Sequence, residues 1–344
     1  MESRSDETAG RDAREVMNRT AIEWCDATWN PTRGCSRVSP GCENCYAEWI
    51  AARFSREGVF GGFAVRRSGR PHWTGKVELI EEKLTEPLRM KKPRRIFVNS
   101  MSDLFHEGLP DDAVYAVVGI MAMASHHTML VLSKRSGRMR ELLSRPEWRV
   151  AIPGTSIEIE KVGDQLWQNG DCELRWPPPN IHWGVSVENQ HYADERIPDL
   201  LATPAAKRFV SYEPALGPIE FDGDSYSWRG WLRGWHCETE CRYDSRGDAY
   251  PESIGVPNER LDQIIIGGES GPDARPFDIQ WARDTIRQCA VAGVASFVKQ
   301  LGSNPIDVPR CRQKNPWPAE VEWVNATQPR LKDRMGGDMS EWPG

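Results

Sequence analysis

The sequence predicts an α/β fold, a partial or complete β/α barrel with six to seven parallel strands. Three observations predict it. Short apolar runs rich in β-branched residues recur along the chain, helical patterns fall between them, and polar residues follow each run directly. Such runs suit strands that are buried on both faces of a parallel sheet. Six or seven alternating strands and helices indicate βαβ units, which fit a barrel better than an open sheet.

Each strand is predicted from its own apolar run. The runs cover residues 95–99, 128–133, 181–186, 208–211, 263–267 and 295–299. Helical patterns cover residues 45–54, 111–124, 138–143 and 280–292. The second of these helices opens with Pro110 and Asp111, which favour helix starts, and continues with Val, Ala and Met.

Two polar stretches rich in Trp, Gly and Asp interrupt the repeat, at residues 146–179 and 222–260. Long segments of this kind are typical of lids or substrate-recognition elements, so we expect both to lie over the barrel mouth. The predicted organisation is a disordered tail over residues 1–19, a barrel over residues 20–303 with these two insertions, and a C-terminal extension over residues 304–344 that wraps the barrel.

Composition narrows the functional classes and the compartment. The 344 residues carry a formal net charge of −6, which does not favour a general polyanion-binding surface. No apolar run reaches the length of about 18 residues that a membrane span needs. Residues 1–18 lack the apolar stretch of a secretory signal. Nine clustered cysteines, an odd number, indicate metal ligation in a reducing cytoplasm over a disulfide framework.

Three of these cysteines form the most informative motif of the chain. Cys35, Cys42 and Cys45 lie on one short loop, with six residues between the first two and two residues between the last two. Three thiolates on one loop can hold three corners of a [4Fe–4S] cluster and leave the fourth iron without a protein ligand. An iron left open in this way can do chemistry, so the motif predicts an enzyme.

Zinc is the main alternative for this loop, and three unligated thiols are another. Structural zinc sites usually have four ligands, often from two CxxC pairs, and the chain has no second CxxC. A distant fourth ligand could complete a zinc site, and the candidates are His72, His106 and Cys25. Because Cys25 lies upstream near a predicted strand start, we expect it to be a core residue.

A second group of metal-binding residue types lies in the second insertion. His236, Cys237 and Cys241 could form a metal site with Cys172 or Cys311. CxxxC alone is a poor zinc pattern, so this hypothesis is the weaker of the two.

Polar side chains follow every predicted strand. The C-terminal ends of the strands of a β/α barrel meet at one rim, where reactive groups gather. We therefore expect these residues to form a polar pocket around the cysteine loop. Two glycines, Gly267 and Gly268, would let a ligand approach the backbone closely, and Glu269 could accept hydrogen bonds from an amine or a ribose.

Several motifs together resemble a known family. They comprise residues 20–31, the cysteine loop with its ending Cys-Tyr-Ala-Glu, and residues 98–106, 132–135, 184–189, 211–214, 267–271, 299–300 and 336–343. In this order, from about residue 20 to residue 342, the chain resembles a phage-associated family of unknown function with a three-Cys motif. That family resembles a divergent branch of the radical S-adenosylmethionine (SAM) enzymes, which have partial β/α barrels.

The resemblance implies a radical SAM enzyme of unknown reaction class. Cys35, Cys42 and Cys45 would ligate a [4Fe–4S] cluster, SAM would bind the open iron, and an electron donor such as flavodoxin or ferredoxin would support its cleavage. Most radical SAM enzymes have three residues between the first two cysteines, whereas six is usual in the phage-associated family. In most radical SAM enzymes a glycine–glycine–glutamate motif lies at the end of the second strand. In this chain residues 99–103 occupy that position.

The same resemblance suggests roles for the polar strand ends. The residues assigned to the cofactor are Tyr46, Asn99, Ser100, Ser102, Asp103, Lys134, Arg135, Ser186, Glu188, Gly267, Gly268 and Glu269. Segment 99–103 would meet the amino group of SAM, and Ser186 and Glu188 would suit its ribose. Tyr46, directly after Cys45, would shield sulfur from water. The residues assigned to catalysis are Glu213, Glu269 and Lys299.

The implied substrate is a nucleobase or a nucleotide-related molecule, because phage association suggests nucleic-acid chemistry. An enzyme that acts on a base takes it out of the stack or uses a free nucleotide. The acidic net charge favours a small or locally held substrate over a long duplex. The alternative is a nucleic-acid-binding module, stabilised by zinc or a cluster and without catalysis. The polar strand ends speak against it, because such a module needs no inward pocket.

Overall fold

The structure is a computed structural model that describes residues 20, 22–55, 60–145, 176–222, 230–243, 249–257 and 259–307. The predicted tail, residues 146–175 of the first predicted insertion and residues 308–344 of the predicted extension lie outside these ranges. The predicted organisation of those segments stays a prediction.

A seven-stranded parallel sheet forms the centre of the fold. Its strands are β1 (Ala27–Trp29), β2 (Arg95–Val98), β3 (Thr128–Ser133), β4 (Ile181–Val187), β5 (Lys207–Tyr212), β6 (Gln263–Gly267) and β7 (Ala295–Gln300). Each strand pairs in parallel with the next strand along the chain. Because the spatial order equals the chain order, the sheet winds in one direction as a barrel does. It forms a half-barrel, with β1 and β7 at its two edges.

Helices cover the outer face of the half-barrel. The described α-helices are α1 (Tyr46–Arg53), α2 (Glu86–Arg89), α3 (Asp111–Met123), α4 (Ser136–Leu143), α5 (Gln190–Ala202) and α6 (Ile279–Ala292). Alternate strand residues such as Val131 and Val185 pack outward against helix residues such as Val117 and Ile197 in one large core. The period of two in the strands thus supplies one apolar surface to the helices.

Polar caps and a glycine set the ends of two helices. Asn189 accepts a hydrogen bond from the backbone N–H of Tyr192 and begins α5. Asp278 does the same for Gln280 at the start of α6. Helix α6 ends at Gly293, whose φ of 66° lies in the left-handed region that favours glycine.

The inner face of the half-barrel has an aromatic floor. Phe97 on β2 and Phe209 on β5 point inward, and Trp24 packs over both, with ring centroids 4.6 and 6.1 Å away. A Cβ at Gly184 would lie 2.5 Å from the Phe209 ring, so only glycine leaves room for that ring on β4. Cys25 is buried with this group, as expected of a core residue.

The six predicted strands and four predicted helices are confirmed, with bounds that agree within two residues. Among the strands of the central sheet and the described α-helices, three elements were missed. Strand β1 has only three residues, and α2 only four, which is too short for a periodic pattern to identify. Helix α5 contains Pro198, which weakens the helical pattern of its sequence.

Smaller pairings surround the sheet. Residues Trp235–Tyr243 and Ala249–Pro257 of the second predicted insertion form an antiparallel ribbon. A second hairpin, Ala64–Arg67 with Arg70–Trp73, contacts α1. Within the described ranges, no helix has both the length and the apolar character needed to cross a bilayer.

Candidate active site

A cavity of about 460 Å³ lies at the C-terminal ends of the strands. The predicted site residues that line it are Cys35, Cys42, Cys45, Tyr46, Asn99, Ser100, Ser102, Asp103, Lys134, Arg135, Ser186, Glu213, Gly268, Glu269 and Lys299. Two others, Glu188 and Gly267, are not part of the lining. Cavities of about 360 and 480 Å³ lie at the N-terminal ends of the strands, and their linings contain none of the three cysteines.

Local backbone geometry brings the cysteine loop to this cavity. Gly34 has a φ of 86°, and a Cβ there would lie 1.9 Å from the backbone oxygen of Lys76, so the residue before Cys35 must be glycine. Residues 40–42 form one turn of 3₁₀-helix. Cys45 then precedes the first residue of α1. The loop therefore crosses the open rim and enters the helix at its third cysteine.

Burial shapes the chemistry of the thiols. It raises the pKa of Cys35 to about 12, and the nearby Asp103 carboxylate adds to the shift. Burial also raises the pKa of Cys45. Free thiols here are therefore protonated and weakly nucleophilic, since the thiolate is the reactive form. A bound metal would lower these pKa values, because cysteines ligate metals as thiolates.

A fixed cation lies next to the first cysteine. The Nη1 atom of Arg135 is 3.9 Å from the Cys35 sulfur and 3.1 Å from an Asp103 oxygen. Glu107 accepts a further hydrogen bond from Arg135 at 2.9 Å. Asp103 also accepts hydrogen bonds from Ser133 and from the backbone of Phe105 and Lys134. The Asp103 carboxylate therefore holds Arg135 in place and has little capacity left for a ligand.

Glu188 lies behind the cavity wall and is fully buried. Its carboxylate accepts hydrogen bonds from Ser39 at 2.7 Å, from Lys134 at 2.5 Å and from Arg196 at 3.2 Å. Burial alone would raise the pKa of Glu188, but Lys134 and Arg196 hold it below its usual value. In this position Glu188 holds the cysteine loop and Lys134, and its contact with a ribose stays a prediction.

Gly267 and Gly268 have no side chains, and other parts of the protein fill the space that a side chain would need. A Cβ at Gly267 would lie 3.0 Å from the carboxyl carbon of Glu213. A Cβ at Gly268 would lie 2.2 Å from the backbone oxygen of Leu301. These glycines therefore allow close packing inside the protein, and close approach of a ligand to this backbone stays a prediction.

Glu213, Lys299 and Gln300 form a polar group on the cavity wall. The Lys299 ammonium donates to both Glu213 oxygens at 2.8 and 3.1 Å, and the Gln300 amide donates to one of them at 2.9 Å. Both charged side chains are about one-fifth exposed. The group therefore offers an ammonium and a carboxylate that a ligand can reach.

Glu269 joins the glycine loop to the cysteine loop. Arg275 donates to both of its oxygens, at 2.6 and 2.9 Å, and Asn44 donates to one at 3.0 Å. Arg275 also donates to the backbone oxygen of Pro40 at 2.9 Å. Burial would raise the pKa of Glu269, but the hydrogen bonds from Arg275 lower it. A carboxylate held in this way positions the loop.

The exit of β2 presents an unsatisfied amide to the cavity. Asn99 has a φ of 59°, a left-handed conformation that Asn tolerates better than most residues. Its oxygen accepts from the backbone N–H of Thr32 at 3.4 Å. Its Nδ2 atom is buried and has no hydrogen-bond partner within the described part of the chain. A buried donor without a partner is costly, so this amide is a weak point of the rim. Next to it, Tyr46 donates to the backbone oxygen of Ser100.

The suggested fourth zinc ligands lie outside the cavity lining. His106 accepts a hydrogen bond from the Gly108 backbone on Nδ1, and its Nε2 is 2.8 Å from the Ser36 hydroxyl. His72 lies on a hairpin strand and Cys25 in the aromatic floor. Among the described residues, no three His, Cys, Asp or Glu side chains are grouped to hold a single metal ion. The second suggested metal site involves Cys172 and Cys311, which lie outside the described residues.

Some site residues were missed by the sequence analysis. Asn44 and Gln300 line the cavity, and Arg275 holds Glu269. Gln300 belongs to the predicted strand end Lys299-Gln300, but it was not among the residues assigned to the cofactor or to catalysis. Asn44 lies between Cys42 and Cys45, and this closeness in the sequence could have indicated that it belongs to the site. No pattern in the sequence marks Arg275.

These features define a half-barrel α/β protein with a cavity at the C-terminal ends of its strands, lined by three thiols, polar strand-end residues and an aromatic floor. The chain belongs to the family described as "Protein of unknown function (DUF5131)", whose family model matches residues 19–330. No curated protein and no solved structure gives a significant match to the chain.

Proposed function

We propose that this protein is a radical SAM enzyme that uses a [4Fe–4S] cluster on Cys35, Cys42 and Cys45. One observation carries the proposal: the three thiols of one loop and the polar strand-end residues line the same cavity at the rim of a parallel half-barrel. Reactive groups of β/α barrels gather at this rim. A loop that only stabilised the fold would have no reason to open onto such a cavity.

The donor set fits a cluster with one open iron. Among the described residues, the cavity lining contains no fourth cysteine and no histidine. A tetrahedral zinc ion requires sulfurs about 3.8 Å apart, since each lies about 2.3 Å from the metal. In a cluster each thiolate binds a different iron, so the sulfurs lie further apart. The absence of a single-ion group in the described residues therefore argues against zinc more than against a cluster.

The residues of the chain would bind SAM and exclude water from it. The cluster with bound SAM supplies reductive cleavage of a carbon–sulfur bond, which starts radical chemistry on the substrate. Asn99, Ser100 and Ser102 line the cavity next to the cysteine loop, and their polar side chains suit the amino acid part of SAM. Glu213 and Lys299 offer opposite charges to the amino group of SAM or to the substrate. The floor formed by Trp24 and Phe97 provides an apolar surface for a flat ring.

The substrate class we propose is a nucleobase or nucleotide-related molecule, modified, rearranged or repaired by this chemistry. It follows from the resemblance to a phage-associated family and agrees with a cavity that joins an aromatic floor to a polar rim. The reaction needs a one-electron donor of the flavodoxin or ferredoxin type. Such donors and a cluster of this kind require a reducing compartment, so we place the protein in the cytoplasm.

Anaerobic purification and reconstitution test the proposal. We expect a brown protein with about four irons per chain that converts SAM to methionine and 5′-deoxyadenosine when it is reduced. Cys42→Ala should abolish both the colour and the cleavage. Cys289→Ala, which changes a buried thiol of α6, is the matched control and should keep both. A colourless zinc protein indifferent to SAM, or SAM cleavage that survives Cys42→Ala, would contradict the assignment.

A further inference from the structure

Helix α1 and Phe54, the residue that caps its C-terminus, expose large apolar side chains to solvent. Tyr46, Trp49, Ile50 and Phe54 are exposed to 54%, 39%, 39% and 52%. Offsets of three, four and eight residues place them on one side of the helix. We call this set the α1 stripe. Isolated exposed apolar residues are ordinary, but a contiguous set of aromatic rings is typical of a binding surface.

Helix α1 buries its small side chains and exposes its large apolar ones, the opposite of the pattern expected for a helix on a protein surface. Its small residues Ala51 and Ala52 are buried against Ala64 of the neighbouring hairpin, while the large ones face water. Packing of the fold therefore does not explain the aromatic residues. Hydrophobic burial favours placing the larger side chains inside, so an occupant from outside is the physical reason to keep them out.

Arginines flank the α1 stripe. Arg53 lies on α1, and Arg66 and Arg67 lie on the hairpin, all three exposed. The Arg66 guanidinium lies 5.7 Å from the centre of the Trp49 ring system. None of the three forms an ion pair within the described ranges, whereas Arg70 lies 3.6 Å from Asp273. In a chain with a net charge of −6, this is a local concentration of unneutralised positive charge.

The α1 stripe begins at the cavity. Tyr46 belongs to both, because it lines the cavity and is half exposed. We propose that the α1 stripe and its arginines bind a single strand of nucleic acid, whose bases stack on Trp49 and Phe54. The same strand would lead one nucleotide past Tyr46 into the cavity. This last step rests on the proposed function, whereas the binding surface rests on α1 and the hairpin alone.

Charge and shape favour a nucleic-acid strand over a protein partner. Arginine forms paired hydrogen bonds with phosphate and stacks on rings, and aromatic side chains stack on any base. Eight residues of helix span about 12 Å, enough for about two or three nucleotides. A protein docked on Tyr46 would cover the mouth of the cavity, whereas a strand can enter it. Unpaired bases are needed for stacking, so a duplex should bind more weakly.

The test measures binding of a fluorescein-labelled strand of about a dozen thymidines to the full chain by fluorescence anisotropy. Trp49→Ala and Phe54→Ala should each weaken binding about tenfold, the usual effect of losing one stacking ring. Arg66→Gln with Arg67→Gln should reduce the slope of log affinity against log salt by about 1.4. The matched control is Arg287→Gln with Val291→Ala, which changes an exposed arginine and an exposed valine of α6. It should change neither the affinity for the strand nor the salt slope.

The outcomes separate this proposal from the proposed function, because binding is measured without SAM and without reductant. Equal affinity for duplex, strand and free thymidine monophosphate would overturn it. Unchanged strand binding in both ring variants would also overturn it. If those variants instead slowed reduction by a flavodoxin and left strand binding intact, the α1 stripe would be a docking surface for an electron donor, which again overturns the proposal. Circular dichroism of each variant confirms that it is folded.

Discussion

Replacement of Glu188 by Gln tests how the cysteine loop is held to the barrel. The substitution keeps the shape of the side chain and removes its charge. Arg196, itself almost fully buried, then loses its counter-ion and keeps the backbone oxygen of Ser186 as an acceptor at 2.7 Å. Its Nε atom already has no partner within the described ranges. The variant therefore leaves an uncompensated charge in the core.

The stability loss expected for Glu188→Gln follows from the distance between its carboxylate and the Arg196 guanidinium. Opposite charges 3.2 Å apart attract by about 5 kcal/mol at an effective dielectric constant of about 20. Loss of one partner of a buried ion pair usually costs about 3–5 kcal/mol. We therefore expect Glu188→Gln to lower the free energy of unfolding at pH 7 by about 3–5 kcal/mol, measured by urea denaturation.

The pH dependence of stability tests separately whether the charge of Glu188 stabilises the fold. The folded-state pKa of Glu188 lies below its ordinary value of 4.5. Its charge therefore stabilises the fold fully above that ordinary value, and the contribution is lost as the pH falls through the lower, folded-state pKa. The difference between wild type and Glu188→Gln should be constant near neutral pH and should shrink in acid.

Asp26→Asn is the matched control, because the Asp26–Arg95 pair is about half exposed. It should cost no more than about 1 kcal/mol. The double variant Glu188→Gln with Arg196→Met should recover part of the loss, because Arg196, the more deeply buried of the two cations paired with Glu188, no longer remains as an uncompensated charge. A loss below about 1 kcal/mol for Glu188→Gln, or one that grows in acid, would refute the reasoning.

Three further predictions concern other contacts. Arg275→Gln should raise the pKa of Glu269 and free the cysteine loop, so the loop thiols should react faster with a thiol reagent; unchanged rates would contradict the role of this ion pair. Gly268→Ala should destabilise the fold by about 1–3 kcal/mol, because its Cβ would meet the backbone oxygen of Leu301 at 2.2 Å; an unchanged melting temperature would be inconsistent with that clash. Asn189→Ala should cost about 1 kcal/mol by removing the cap of α5, measured by guanidinium denaturation, and no loss would argue against the cap.

The strands were predictable because their apolar runs are local sequence patterns. The rim was predictable because the ends of parallel strands meet at one edge of any such sheet. Continuous apolar runs mark strands that are covered on both faces, and the ends of parallel strands meet at one edge. These two rules were enough to bring Asn99, Glu213 and Lys299 to one cavity with the cysteine loop. The lumen-facing side of each strand also follows from the period of two, as Ser186 and Lys299 illustrate.

The role of each carboxylate was not predictable in the same way. Glu188 and Glu213 both follow a strand, yet Arg196 and Ser39 bind the first behind the wall. The cation that engages Glu269 is Arg275, in a segment without a recognisable pattern. Partners that come from distant parts of the chain leave no periodicity to detect.

The sequence by itself determined the strand order, the loop that carries three thiols and the set of polar residues at the rim. Tertiary structure alone decided which of those residues stay available to a ligand and which hold the site together. It also decided that α1 buries its alanines and exposes its rings. The physical reason is that local pattern controls how each segment folds, whereas charge pairing and burial depend on which segments meet in space.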